Sequence, residues 1–312
     1  MAIENKPTIL LTGAGGQLGG QLRKTLAHLG RVVATDYAEI DLTSPTAIRE
    51  AVRRLQPQWI VNPAAHTAVD KAESEPELAF AINRDAPAIF AEEATRIGAV
   101  MIHYSTDYVF DGSKQTPWFE SDTPHPLGVY GASKLGGEQA VAAGGAPYLT
   151  FRTSWVYGSV GKNFLLTILK LARERDELSI VADQYGAPTW SFDLAAMTAC
   201  AMEQLMAQAE SESRIVAEIV AESSGIYHAC NAGETTWFGF AAEALRLARQ
   251  QEPQQKFARL RPLTTEEYPT AARRPASSRL DCSKLAQRFG FTFPTWDKSL
   301  ARVMEIMAKE SV

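Results

Sequence analysis

Short apolar runs and amphipathic stretches alternate along the first half of the chain, and each change of period marks a change of element. Apolar runs at Thr8 to Thr12, Arg31 to Thr35, Trp59 to Asn62, Ala99 to Tyr104 and Tyr148 to Val156 predict strands. Between them, helical spacing predicts a helix over Gln21 to Leu29 and another over Glu77 to Ile97 with Asn83 inside. A further helix opens at Thr43 or Ser44 with Pro45 in its first turn, and one covers Ser133 to Ala143, reaching back to Val129. This alternation is the pattern of an α/β fold built on a doubly wound parallel sheet, Rossmann-like in outline.

The second half reads differently. Asn163 to Arg175 predicts a helix, Leu178 to Ala182 a strand, Asp183 to Thr189 a polar turn, and Phe192 to about Met206 another helix. From Gln208 to Ser224 the chain is rich in Ala, Glu and Ser, with apolar residues at Ile215, Val216, Ile219 and Val220, the spacing of an exposed amphipathic helix in a surface excursion. A strand at Ile226 to Cys230, a helix at Trp237 to Arg249, an irregular basic segment at Tyr268 to Leu280 and a terminal helical region follow. The expected organisation is a dinucleotide-binding domain of residues 1–157 with about 178–207. A smaller mixed α/β substrate domain would take about 158–177 and 226–312, leaving 208–225 as the excursion.

The first strand runs into Gly13-Ala14-Gly15-Gly16-Gln17-Leu18-Gly19, with Gly13, Gly16 and Gly19 at the G-x-x-G-x-x-G spacing of a dinucleotide loop. Missing side chains let backbone approach a pyrophosphate whose charge rests on the helix N-terminus. A glycine loop alone can be merely a turn; the strand before it and the helix after it supply the context that nucleotide binding needs. Asp36 ends the second strand, where a carboxylate can bind the adenosine ribose hydroxyls and repel a 2′-phosphate, favouring NADH or tolerance of both coenzymes. Asp41 could accept from the adenine amino group or cap a turn. The small residues of Pro63-Ala64-Ala65-His66-Thr67 would let backbone close to the same ligand.

Tyr130 and Lys134 stand four residues apart, on one face of a helix. A free phenol titrates near pH 10, so an adjacent ammonium would ease proton donation near neutrality. Tyr and Lys at this spacing arise often by chance, but Thr106, at the carboxyl end of the Ala99 strand, adds a hydroxyl where such sheets bind ligands. Arg273 and Arg274 could hold a second diphosphate, that of a substrate, or could equally sit in a solvated loop.

Composition narrows the classes. The 312 residues are 46% hydrophobic, enough for a large core, and a net charge of −5 without a basic cluster disfavours nucleic-acid binding. Cys200, Cys230 and Cys282 are scattered without metal-ligand spacing, which reads as reduced thiols in a cytoplasmic protein. No leader-like start and no long apolar span is present, disfavouring secretion and membrane insertion.

Together the glycine loop, the Thr-Tyr-Lys set and the late Arg segment resemble the extended short-chain dehydrogenase/reductases. More narrowly the chain is similar to the dTDP-4-dehydrorhamnose reductase family. The segments that carry this are A-A-H-T-A-V-D-K-A-E-S-E-P from Ala64, H-Y-S-T-D-Y-V-F from His103, F-R-T-S-W-V-Y-G from Phe151, D-Q-Y-G-A-P-T from Asp183, and A-R-R-P with S-R-L. They span Thr8 to about Trp296.

The resemblance implies reduction of the C4 ketone of dTDP-4-dehydro-6-deoxy-L-mannose to dTDP-L-rhamnose by NADPH or NADH, for bacterial surface polysaccharides. It implies that Tyr130 gives a proton to the ketone oxygen, that Thr106 hydrogen-bonds that oxygen, and that Lys134 favours the phenolate and binds the nicotinamide ribose. It places Gly16, Gln17, Leu18, Asp36, Asp41, Leu42, Ala64, Ala65 and His66 at the cofactor. Tyr104, Thr106, Asp107 and Trp155 fall at the sugar nucleotide, Trp155 flat against the sugar or packed as core, and Arg273 and Arg274 are candidates for the diphosphate or its surroundings. Pro63 departs from the usual Ala. Gln21 and Phe192 stand where some relatives carry acids for a Mg2+ ion between subunits, so no metal is expected and the chain is expected as a monomer or homodimer. Two other readings share the resemblance: a nucleotide-sugar epimerase or dehydratase that recycles its nicotinamide, and a non-catalytic subunit like the accessory subunit of methionine adenosyltransferase.

Overall fold

The computed structural model describes residues 6–310. β1 (Thr8–Leu11) ends in the glycine turn, which feeds α1 (Gln17–Thr25), and β2 (Arg31–Ala34) returns beside it. Ser44 caps α2 (Pro45–Leu55) by accepting the Ala47 N–H at 3.3 Å, and Pro45 fills the first helical position, where its missing N–H costs nothing. β3 (Trp59–Asn62) leads to α3 (Val69–Ala72), α4 (Pro76–Phe80), a π turn at Ala81–Asp85 and α5 (Ala86–Ile97). The single helix expected over Glu77 to Ile97 is therefore interrupted, and the interruption turns the buried Asn83 inward.

β4 (Val100–Thr106), α6 (Val129–Ala143), β5 (Tyr148–Thr153) and β6 (Val156–Tyr157) follow. The chain then forms α7 (Phe164–Glu174), β7 (Glu177–Val181), β8 (Tyr185–Gly186), β9 (Thr189–Trp190), α8 (Ser191–Ser211) and α9 (Val216–Ala221). It ends in β10 (Gly225–His228), β11 (Thr235–Thr236), α10 (Trp237–Gln251), β12 (Arg259–Leu263), α11 (Ser283–Phe289) and α12 (Trp296–Glu310).

The main sheet is parallel throughout, in the order β10-β5-β4-β3-β1-β2. Its strands bury both faces. Ile9, Leu11, Ile102, Tyr104 and Phe151 pack with α1, α8 and α9, while Leu10, Ile60 and Met101 pack with α2, α5 and α6. Strand order reverses at β1, so the crevice beyond the carboxyl ends of β1 and β3 is the topological switch point, where such sheets bind ligands. Between β5 and α6, Arg152 and Glu138 form a buried ion pair with two parallel hydrogen bonds of 2.9 and 2.7 Å.

A second apolar core joins Leu165 and Ile168 of α7, Ile180 of β7, Phe240 and Leu245 of α10, and Leu300 and Val303 of α12. Three expectations change here. β7 pairs in parallel with β12, in this second core, and not with the main sheet. β10 is the main sheet's edge strand beside β5, although 226–312 was expected in the other domain. The 208–225 stretch is no free excursion: Ile219 and Val220 are fully buried against the main core, while Ile215 stays 65% exposed. In each case periodicity gave the element, but the partner it packs on comes from chain topology. Likewise Cys230 and Cys282, far apart in sequence, bring their Sγ atoms to 3.6 Å as hydrogen-bonded free thiols. Among the described residues no helix is long and apolar enough to cross a membrane.

Candidate active site

A cleft of about 1070 Å³ lies over the switch point. Its floor is the glycine loop. Gly13 has φ +56°, and a Cβ there would stand 3.0 Å from Ala64, so the turns after β1 and β3 touch only because this side chain is absent. A Cβ on Gly19 would run into the Gly13 carbonyl. Gly16 caps α1 without any side-chain acceptor, which leaves first-turn N–H groups turned to the cleft. Asp36 reaches the loop from β2, its Oδ2 accepting the Gly15 N–H at 2.6 Å. Asp41 accepts from both the backbone N–H (2.8 Å) and the hydroxyl (2.7 Å) of Thr43, and these bonds hold its carboxyl below the usual range. It pins a turn, while it and Leu42 still line the cleft. Gln17 and Leu18 line it as well, and Asn163, the cap of α7, donates to Gln17 Oε1 at 3.0 Å, tying the second lobe to the loop. This cradle, which added Cβ atoms would fill, fits a dinucleotide.

Pro63, Ala64 and Ala65 form the wall beyond β3, but the His66 ring turns out of the cleft. Its Nε2 lies 3.5 Å from Glu75, and its backbone is clamped by Asn83, which accepts the His66 N–H at 2.8 Å and donates to its carbonyl at 3.1 Å. Asn83 also donates to Ser133 at 3.0 Å. His66, expected along the cofactor site, is held there by its backbone, beside Ala64 and Ala65 of the cleft wall.

Thr106, Tyr130 and Lys134 all line the cleft. Thr106 ends β4, buried, with its hydroxyl donating to Asp107 Oδ1 at 2.9 Å and accepting the Tyr108 N–H at 3.2 Å. The Tyr130 ring packs edge-on to Tyr108, with its phenol beside Thr106. Burial pushes that phenol up to about 12; the Thr106 hydroxyl works against the rise and the Asp107 carboxylate adds to it. The expected easing of the phenol by Lys134 is therefore not what this arrangement produces. The ammonium instead donates to the Tyr104 carbonyl at 2.5 Å, and burial draws it down to about 8, with Glu138 opposing.

Tyr104 meets the cleft through its backbone. Its phenol exchanges a 2.8 Å hydrogen bond with Thr198 of α8 inside the main core, so it is not placed to touch a substrate, because strand alternation sends it to the covered face. Asp107 is buried and lines the cleft; burial raises it to about 6, and Oδ2 lacks a partner. Ser105 Oγ and Thr153 Oγ1, also buried at the cleft, are without partners too. Orphaned polar atoms at a cleft call for a polar ligand.

Trp155, at φ +47°, lays its indole flat on that of Trp237, which opens α10. Gly186 is bare because a Cβ there would meet the Trp155 indole at 2.6 Å. For Arg273 and Arg274 a diphosphate site and a solvated loop stood as equal readings. Neither lines the cleft: Arg273 is exposed, and Arg274 grips Asp70 through bonds of 3.1 and 2.7 Å, which lowers that carboxyl. A competing carboxylate has taken the fork that a phosphate would need. Sequence reasoning missed Trp237, Lys162 and Thr153 as site residues. The lysine lies in a G-x-x-G-K loop that offered a signal, whereas Trp237 looked like one more apolar position of a helix. Among the described residues no group of three or more His, Cys, Asp or Glu side chains could hold a metal ion.

The parallel sheet, its glycine loop and the Thr-Tyr-Lys set define an extended short-chain dehydrogenase/reductase fold. The RmlD substrate binding domain family matches residues 7–309. The chain is 45% identical over 290 residues to the dTDP-4-dehydrorhamnose reductase of Burkholderia thailandensis, covering 92% of this chain and 95% of the relative. It is 44% identical over 301 residues to that of Escherichia coli K12, covering 95% and 96%. The crystal structure of the Bacillus anthracis dTDP-4-dehydrorhamnose reductase in complex with NADP superposes with a TM-score of 0.85 at 34% identity, over 96% of this chain and 99% of that one. This chain belongs to the dTDP-4-dehydrorhamnose reductase family.

Proposed function

We propose that the protein reduces the C4 ketone of dTDP-4-dehydro-6-deoxy-L-mannose to dTDP-L-rhamnose with NADPH or NADH, a step in making dTDP-rhamnose for surface polysaccharides. The observation that carries the reading is the convergence of Thr106, Tyr130 and Lys134 on one cleft floored by a dinucleotide cradle. The names borne by the relatives, and the NADP held by the Bacillus anthracis structure, support it.

The glycine loop and the α1 N-terminus would hold the pyrophosphate, Asp36 the adenosine ribose, and Lys134 the nicotinamide ribose. When bound, the reduced nicotinamide supplies the hydride for the ketone carbon. Tyr130, kept protonated by its buried setting, releases its proton to the ketone oxygen, so the carbonyl becomes an alcohol and the phenolate is recharged from solvent. Thr106, whose hydroxyl works against the rise of the phenol, would hydrogen-bond the reacting oxygen. Asp107, Ser105, Thr153 and the Trp155 face would orient the sugar nucleotide. The enzyme would work in the cytoplasm on this small molecule, without nucleic acid, as a monomer or homodimer.

The test is the purified protein with the keto sugar nucleotide and each coenzyme in turn. Stoichiometric loss of reduced-coenzyme absorbance is the expected result. Turnover without net oxidation would instead support an epimerase or dehydratase, and no turnover with either coenzyme would refute the reading.

A further inference from the structure

Lys134 is buried, and each of its three N–H groups needs an acceptor. The Tyr104 carbonyl takes one, at 2.5 Å. The nearest other acceptor is His103 Nε2, at 3.5 Å. His103 lies one residue before Tyr104 on β4, wholly buried, with the Asn62 amide 3.4 Å from its other ring nitrogen. Asn62 in turn accepts the Thr12 hydroxyl at 2.6 Å, just before the glycine loop. These contacts form a buried polar row under the carboxyl ends of β4, β3 and β1, from the Tyr-Lys helix to the cofactor cradle.

The packing of α6 brings the same ring within ordinary contact of Gly137, whose missing side chain is required by the Asn83 carbonyl. Gly137 sits inside α6 one turn past Lys134, where glycine is a poor helix residue. A Cβ there would stand 3.4 Å from His103 Nε2 and run into the Asn83 carbonyl. Burial and the adjacent ammonium hold the imidazole well below its usual range, and so neutral. Both ring nitrogens face donors, the ammonium at Nε2 and the Asn62 NH2 at Nδ1, and a neutral ring has one lone pair; the charged donor makes the stronger bond and so claims it at Nε2.

We infer that His103 is a positioning residue for the proposed reaction: its Nε2 and the Tyr104 carbonyl fix the Lys134 ammonium from two sides and leave one N–H for the cleft. The inference rests on the cofactor role given to Lys134 above. The charged groups around the ammonium are few. Glu138 of the same helix is paired with Arg152 of β5, Tyr130 precedes it by one turn, and Asp107 follows β4; Asn62, Thr12 and Asn83, which pack from the other elements, are uncharged. Removing the imidazole acceptor makes the ammonium costlier, so Lys134 loses its proton at lower pH.

The test compares His103→Leu with His103→Gln, whose amide oxygen can still accept, by fluorescence titration with NADH and by pH–rate profile, with circular dichroism as the check of folding. In the leucine variant NADH binding should weaken about tenfold and the alkaline limb should move down by about one pH unit, the same free-energy change seen twice. The glutamine variant should stay within about threefold of wild type, because its amide oxygen replaces the lone pair. Wild-type binding with an unmoved limb in the leucine variant would overturn the inference. So would equal losses in two folded variants, which would point to ring volume and not to the lone pair. Independently of any turnover, imidazole 15N shifts of the wild-type protein should show His103 Nε2 unprotonated at neutral pH. A protonated Nε2 at neutral pH would overturn the inference even if the leucine variant failed to fold.

Discussion

The indoles of Trp155 and Trp237 lie face to face with ring centroids 3.7 Å apart and planes 9° from parallel, one contributed by each lobe. Both line the cleft. An aromatic face here suits the sugar or the base of a nucleotide sugar, and Trp237 is what keeps Trp155 flat. Replacing Trp237 by Ala should raise the KM for the keto sugar nucleotide about tenfold, in line with the roughly 0.5–1.5 kcal/mol of such pairs, and leave coenzyme affinity within about twofold. Steady-state kinetics with saturating coenzyme check this. An unmoved KM would show that the stack is packing alone.

Tyr130→Phe keeps the ring that packs on Tyr108 and removes only the hydroxyl. It should fold and bind coenzyme normally while losing about 10²–10⁴-fold in kcat, the usual worth of a positioned proton donor. Stopped-flow turnover beside a coenzyme titration separates the two effects. Retained turnover would remove Tyr130 from the chemistry.

At the adenosine end two carboxylates meet: Asp36 on the glycine loop, and Glu39, which accepts the Asp36 N–H at 2.8 Å. No Lys or Arg among the described residues lines that end of the cleft. A 2′-phosphate would face like charge there, so NADH should bind at least as tightly as NADPH. Asp36→Ser should shift the affinity ratio toward NADPH by about tenfold, the effect of relieving roughly one pK unit's worth of repulsion. Equilibrium titration with both coenzymes measures it, and an unchanged ratio would dissociate Asp36 from the choice.

Asp107 links activity to stability. Its carboxyl is raised by burial to about 6, against about 3.9 in an unfolded chain. Between those values the folded state binds more protons, so stability falls as pH rises through this window and stays lower above it. Asp107→Asn removes that cost. The variant should gain up to about 2–3 kcal/mol over wild type above about pH 6 and nothing below about pH 4. Urea melts across pH would reveal a pH-independent difference if the carboxylate were not strained.

The Arg152–Glu138 pair predicts the opposite kind of outcome. Both side chains are at most 2% exposed, so neither charge can recover its water. Arg152→Met leaves Glu138 buried and alone and should cost about 3–5 kcal/mol, whereas changing both to apolar residues should restore most of it. A double-mutant cycle from chemical denaturation checks the pair.

The sheet was legible because its strands are short and apolar and its helices amphipathic, signals that need only local sequence. The glycine loop and the Tyr130–Lys134 pair were equally local. Tyr104 was misassigned because its neighbours in sequence face the cleft while its own side chain, by strand alternation, faces α8. Arg274 carries a fork suited to phosphate, yet its partner Asp70 lies some two hundred residues earlier, where no spacing rule reaches. The fates of β7 and β10 were hidden for the same reason: periodicity marks a strand but is silent on its neighbour.

β10 also bears on the order of assembly. The edge of the main sheet is completed by residues 225–228, after the chain has left to build α7, β7 and part of the second lobe. During synthesis β5 must therefore wait with an unpaired rim until that late strand emerges from the ribosome. A ribosome stalled upstream of it would hold a nascent chain with a sticky, incompletely docked sheet, a natural client for a chaperone that shields strand edges.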